Sequence, residues 1–429
     1  MKAVSKLMTP RVLAGLALAS GLLGVGSIVT AGGSAQADPA WTSSLVGVGS
    51  DVTQDLWAAY TGASPAPDLG ATNTTFYSPL NAGSADNFLT ISSYDANPPG
   101  EPTTSAGCII TKAGGNAWDR PNSSTEGITA LYDSVTGNSW EGSPTCTGTP
   151  ESITGQLQFA RSARGVKTAG TTLTFIPYAR DGLGIAVYTS TPGNPLASLT
   201  ETELAALYST DNGQETINGV TVYACTTIAG STPNSNLALA LGISTTTEDN
   251  AAADADAANV TGGLCPSVVQ NSGNAFYSAV SGLASGFGAV IPISAGQWES
   301  QFNQVALDRS NTARANGVDL ADITNSASVD LGKPYKSGTI GSGPNAGGTG
   351  EVPNTTYYQD SSWGYNIYTV VPTRTLSGIN FSAPLNALFV GSGSSQCAAA
   401  AQSTAHDFGF DSLTAGEGTC GSTSAQGNN

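Results

Sequence analysis

Charge is scarce in this chain: Asp, Glu, Lys and Arg make up only 10% of its 429 residues, where an ordinary globular protein carries about a quarter. Cations are the scarcer sign, with 14 Lys and Arg against 31 Asp and Glu and a net charge of −17. Such a field repels polyanions, so nucleic acid is not an expected partner. Histidine occurs once, at His406, and no two cysteines stand in a CxxC spacing, so neither a zinc site nor any other metal centre is expected. His406 lies in the Ala-rich stretch CAAAAQSTAHDFGF, and no GxSxG elbow accompanies it. It reads as a surface or packing residue rather than the base of a hydrolase, and no enzyme activity or cofactor is expected. The acidic run at residues 247–260 has neither the glycine nor the closing glutamate of an EF-hand loop and reads as a solvated Ala-rich helix. No repeat of about 20 to 50 residues is visible, which argues against a solenoid or propeller.

Long apolar runs are equally few. One stands at the start, where residues 12–30 follow Lys2, Lys6 and Arg11 and precede the small-x-small site Ala35-Gln36-Ala37. Residues 1–37 are therefore expected to be an export signal cut near Ala37. No cysteine follows the run, so a lipid anchor is not indicated, and no other stretch approaches the ~18 apolar residues of a membrane span. Cleavage would leave eleven cations and a net charge of about −20. All six cysteines, Cys108, Cys146, Cys225, Cys265, Cys397 and Cys420, lie in the exported part, and their even number favours disulfides over metal or catalysis. Sequence leaves the connectivity open; nearest-neighbour pairing, 108 with 146, 225 with 265 and 397 with 420, would staple one segment each.

The remaining chain exceeds the ~250 to 300 residues that a single core usually serves, so two lobes are expected. Leu45–Gly49 reads as a buried strand and residues 51–60 as a helix behind it. Strand-like runs follow at 88–92, 108–111, 157–160, 173–178 and 184–188, with a helix at 125–134. Helical patterns at 202–208, 236–241, 275–283 and Ala295–Phe302 alternate with strands at 220–224 and 289–293, which gives α/β lobes. Residues 337–356 read as loop, 367–371 as strand, and 384–389 and 397–407 as helices. The expected division is lobe 1 over 38–180, lobe 2 over 181–290, completion of lobe 1 over 291–420, and a disordered tail over 421–429.

Four segments could hold a small ligand. In VGVGSDVTQDLW a strand ends at Ser50 and Asp51 and a helix begins at once; N–H groups at such a start can hold an anion, or be capped by Ser50 or Asp51. In RPNSSTEGITAL, Ser124 and Thr125 open a second helix, where Ser123 and Glu126 also form a capping box. In LQFARSARG a strand runs into Arg161 and Ser162, and six of the eleven cations fall between residues 112 and 180. That clustering points to an anion site, although arginines at strand ends also pair with ordinary carboxylates. In VTVYACTTIAGSTPNS a strand leads through Gly230, Ser231 and Thr232 into a helix.

Taken in order, VGSDVTQDLW, RPNSSTEGITAL, FARSARG, TFIPYARDG, SLTETELAALY, TIAGSTPNS, YNIYTVVPT and LNALFVGSGSSQC resemble the phosphate-binding protein of the ABC phosphate importer, especially its secreted forms in high-GC Gram-positive bacteria. The resemblance implies a type II periplasmic-binding-protein fold, two α/β lobes clamping a ligand in a central cleft. Its first ligand loop falls on Ser50, Asp51 and Val52, and its paired hydroxyls on Ser124 and Thr125. Arg161, Ser162, Gly230, Ser231 and Thr232 complete the candidate set. Two positions depart from the pattern. Ala163 stands where the family has an aspartate that accepts the phosphate proton, and Thr227 where it has an arginine, while Pro233 in the following turn has no N–H to donate. The implied role is capture of a small oxyanion, phosphate first, by a monomer outside the cell on the cell-wall side, with an ABC permease as partner. The alternative is a secreted surface or structural protein that keeps the fold without tight phosphate binding.

Overall fold

The computed structural model describes residues 45–61, 80, 91–96, 107–112, 114–142, 148–210, 213–227, 231–243, 265–341, 346–414 and 418–429. The expected export signal and the acidic run at 247–260 lie outside them.

Eleven strands build one mixed sheet: β1 (Leu45–Gly49), β2 (Ile91–Ser93), β3 (Phe159–Ser162), β4 (Ala169–Thr189), β5 (Gln214–Ile217), β6 (Val220–Thr227), β7 (Cys265–Val268), β8 (Phe287–Ser294), β9 (Asp319–Leu320), β10 (Gly364–Pro372) and β11 (Ala425–Gly427). Its order is β5-β6-β8-β4-β10-β3-β1-β2, with β7 beside β6 and with β9 and β11 beside β4. At one end β1 runs parallel to β2 and β3, and at the other β6 runs parallel to β7 and β8. Parallel neighbours need helical crossovers. These are supplied in part by α1 (Gln54–Thr61), α2 (Ser124–Thr136), α3 (Glu201–Ser209), α4 (Thr232–Ala240), α5 (Gly273–Val280) and α6 (Ala295–Phe302), while α7 (Ala383–Phe389) and α8 (Ala399–Asp407) pack nearer the carboxyl end. The result is an α/β architecture.

The long strand β4 belongs to two cores. Its first half gives Leu173, Phe175 and Tyr178 to clusters that hold Val48, Trp57, Leu131 and Phe159. Its second half gives Leu183, Ile185 and Val187 to a cluster that holds Val222, Leu237, Val290 and Trp298. That second cluster draws on residues as late as Trp363, so it continues well past residue 290, where the sequence suggests a boundary. Apolar side chains of the segments after β8 pack against its far end, which no composition change announces.

Three further expectations are corrected. Residues 173–178 and 184–188 are one strand, not two, because the apparent breakers within and between them are accommodated. Pro177 faces Tyr368 of β10 at a register shift, where a missing N–H costs little, and the Asp181 carboxylate is tied into the sheet. The loop expected at 337–356 contains a hairpin, Tyr335–Thr339 against Thr349–Pro353. Its glycines are needed for close approach: a Cβ at Gly338 would lie 2.3 Å from Val352 and one at Gly350 would lie 2.3 Å from Asn303. The tail over 421–429 is ordered. β11 pairs antiparallel with β4, and the Asn429 carbonyl accepts from the N–H groups of Lys167 and Thr168.

Two of the nearest-neighbour disulfides are present, Cys225–Cys265 with Cα atoms 4.9 Å apart and Cys397–Cys420 with Cα atoms 5.8 Å apart. Cys146, expected to pair with Cys108, lies outside the described residues. Among the described residues no helix is long and apolar enough to cross a membrane, and no cluster of His, Cys, Asp or Glu could hold a metal ion.

Candidate functional site

The ends of β1 and β3 lie side by side, with Gly49 opposite Arg161, and the first turn of α2 sits on them. A Cβ at Gly127 would lie 2.3 Å from the Gly49 Cα, so only glycine lets this helix come so close. Ser123 caps α2 by accepting from the Glu126 N–H, and Glu126 reaches back to the Asn122 N–H at 2.9 Å. With the cap made by its neighbour, the Ser124 hydroxyl is directed elsewhere. It accepts from the Ala163 N–H at 3.0 Å and lies 3.1 Å from the Thr232 hydroxyl, at the start of α4. The helix α2 packs in the first core and α4 in the second, so the Ser124–Thr232 contact brings two helix N-termini together from different cores.

The strand-to-helix junction at α4 is internally braced. Asn234 accepts from the Thr227 N–H and donates to the Thr227 carbonyl, and the hydroxyls of Thr227 and Ser231 bond one another. Ser231 therefore makes no side-chain cap, while Pro233 in the first turn has no N–H. Gly230 lies outside the described residues.

Asp51 forms the other cross-connection. Its Oδ2 accepts from the Asn271 side chain at 2.6 Å, and Asn271 in turn accepts from the Ser294 N–H at 3.0 Å. Asp51 is only 4% exposed, and burial pushes its carboxyl up to about 7, against weaker pulls downward from Asn271, from nearby backbone N–H groups and from the Arg309 charge. Its Oδ1, the Ser50 hydroxyl and Gln270 Oε1 are buried and find no hydrogen-bond partner among the described residues. Gln270 belongs to the same place, since its amide donates to the Asn122 carbonyl beside α2. An unpaired buried polar atom costs about 1–3 kcal/mol, so three together mark a spot that a ligand or ordered water would satisfy.

The remaining candidates serve the framework. Arg161 is fully buried, and its guanidinium donates to the carbonyls of Gly49, Ser50 and Tyr94 and to the Ser93 hydroxyl. Its charge is spent on the strand ends beneath the junction, and desolvation lowers its pKa to about 10. The Ser162 hydroxyl closes a small turn with the backbone of Arg164. Thr125 accepts from the Arg164 Nε at 3.1 Å. Val52 packs in the core, and its carbonyl accepts from Gln297. The structure thus brings Ser50, Asp51, Ser124 and Thr232 together and turns Arg161, Ser162 and Val52 to other uses.

Asn271, Gln270 and Asp181 are contributors that the sequence reading did not select. Asn271 adopts a positive φ of 55° and sits between β7 and the Ser272 cap of α5, another strand-turn-helix junction. That pattern was visible in VVQNSGNAF and gives a sequence signal for it. Asp181 gives none, because its role comes from tertiary structure: its carboxylate accepts from the N–H groups of Gly182 and Gly296 and from the hydroxyls of Ser294 and Tyr365. It thereby fastens β4, the β8–α6 junction and the start of β10 at one point.

No family model matches this chain, and no curated protein does. Among solved structures it is similar to that of a possible phosphate binding protein from Planctomyces limnophilus, at 8% identity over 86% of this chain and 93% of that one, with a TM-score of 0.37. A likeness this loose decides neither fold family nor ligand, and the functional reading rests on the junction itself.

Proposed function

We propose that this protein is a solute-binding protein of two-lobed, type II form, not an enzyme, which captures a small protonated oxyanion, phosphate first, where α2 and α4 meet. The observation that carries the reading is the Ser124–Thr232 hydrogen bond. The first N–H groups of a helix have no partner within it, and each N-terminus carries roughly half a positive charge. Two such ends brought to a direct hydroxyl contact repel one another unless an anion lies nearby. Asp51 suits an anion that still carries a proton, because its carboxylate can accept that proton, whereas it repels a fully ionised oxyanion. Delivery to an ABC permease outside the cell is the corresponding transport role.

Titration calorimetry on the purified protein tests this. Phosphate should bind at near-neutral pH and sulfate at least about tenfold more weakly, and Ser124→Ala or Thr232→Val should each weaken phosphate by about tenfold, the value of one well-placed hydrogen bond to a charged group. If neither phosphate nor sulfate binds while another solute does, the oxyanion reading fails. The second reading, a secreted surface protein without tight binding, is favoured by one observation: the Arg161 charge is engaged by backbone carbonyls. Absence of binding by every small solute tried would favour it.

A further inference from the structure

A cavity of about 340 Å³ lies along α4, the helix whose first residue is Thr232, where Asn236, Leu239 and Ala240 face Ser361, Ser362 and Tyr365. We infer that the natural ligand is an oxyanion carrying a small, uncharged polar organic group, of the phosphomonoester or phosphonate class, with its organic part in this cavity. The inference rests on the anion reading above and adds what the anion is attached to.

Three observations place the cavity next to the anion position. Thr232, Asn236, Leu239 and Ala240 recur at i, i+4, i+7 and i+8, so they share one face of α4. The face that begins at the Ser124 contact is the face that lines the cavity. Four residues of helix advance about 6 Å, roughly the extended reach from a phosphorus atom to the fourth or fifth atom of an ester chain. On the opposite wall, Tyr365 donates to Asp181, which accepts from the Ser294 hydroxyl; the Ser294 N–H donates to Asn271, which holds Asp51. An unbroken run of hydrogen bonds therefore leads from Asp51 to the cavity wall.

The lining sets the chemistry. None of these six residues is charged, which disfavours a second ionic group on the ligand. The Asn236 amide nitrogen is buried with no partner among the described residues, in a residue 8% exposed. It lacks an acceptor, and a hydroxyl or ether oxygen on the organic group would provide one. The Tyr365 ring and the Leu239 side chain offer apolar cover for a short carbon chain. The volume is at the small end of ligand pockets, about 300–1,000 Å³, and fits three or four carbons with their hydroxyls.

Calorimetry with glycerol 3-phosphate, inorganic phosphate and glycerol separates the possibilities. Glycerol 3-phosphate should bind at least tenfold more tightly than phosphate, and glycerol should not bind. Ser362→Phe, at an exposed turn position, should fill the cavity and remove that tenfold advantage while leaving phosphate affinity within about twofold. Asn236→Leu should also remove most of the advantage, yet raise the melting temperature of the empty protein by relieving the unpaired amide. If phosphate binds and the ester binds no more tightly, or if Ser362→Phe leaves the advantage intact, the inference is overturned and the anion reading stands. If neither anion binds, the anion reading falls and this inference with it.

Discussion

Arg161 and Asp51 lie on adjoining strand ends, and both are buried ionisable groups, yet they do opposite things. Arg161 donates to three backbone carbonyls and a hydroxyl, and so finishes the floor of the junction. Asp51 has one oxygen bonded to Asn271 and the other without a partner among the described residues, and so leaves the rim unfinished. A buried charge whose hydrogen bonds are complete builds structure; one left partly unmet calls for an explanation, and at Asp51 the proposed ligand supplies it.

Removing the floor should have the largest effect. Arg161→Met should destabilise the protein by about 3–5 kcal/mol in urea unfolding, because the carbonyls of Gly49, Ser50 and Tyr94 lose their donor in a dry site. Lysine should not rescue it, since a point-like ammonium cannot span the same acceptors. An effect below about 1 kcal/mol would erase the contrast with Asp51.

The next effect is on pH dependence. Burial raises Asp51 to about 7 and Asp181 to about 6, and raises Asp55 and Glu299 as well. A carboxyl whose folded pKa lies above its unfolded value of about 4 binds more protons when folded. Its contribution is complete below pH 4 and is lost as pH rises through 6 to 7. The melting temperature should therefore fall by about 5 °C or more between pH 5 and pH 8, and Asp51→Asn should flatten part of that slope. A melting temperature that rises over this range would contradict the burial of these acids.

The smallest stability effect belongs to the rim hydroxyls. Thr232→Val should change stability by about 1 kcal/mol or less, and Ser124→Ala, which leaves the buried Ala163 N–H without its acceptor, by about 1–3 kcal/mol, while each lowers anion affinity about tenfold. A large loss of stability with no change in binding would move these residues from rim to floor.

Much of this architecture was legible in sequence because local pattern and tertiary use agree. Leu45–Gly49 and Ala295–Phe302 have the expected bounds, and the junctions at Ser50 and Ser124 follow from apolar strands ending in capping residues. What was not legible depends on partners distant in sequence. Pro177 and Asp181-Gly182 look like breaks in β4 until β10 and the β8–α6 junction are beside them. Gly338 and Gly350 look like loop residues until Val352 and Asn303 come close. Arg161 shows the same limit within the site: its position beside the cluster was readable, but whether its donors would face a ligand or the carbonyls of Gly49 and Ser50 was not.

The unbroken course of β4 through both cores has a mechanical consequence. With hydrogen-bonded neighbours on both of its halves, the strand offers no slack loop at Asp181, and the two cores share one continuous beam there. The clasp of Ser294, Gly296 and Tyr365 on Asp181 braces that beam at its middle.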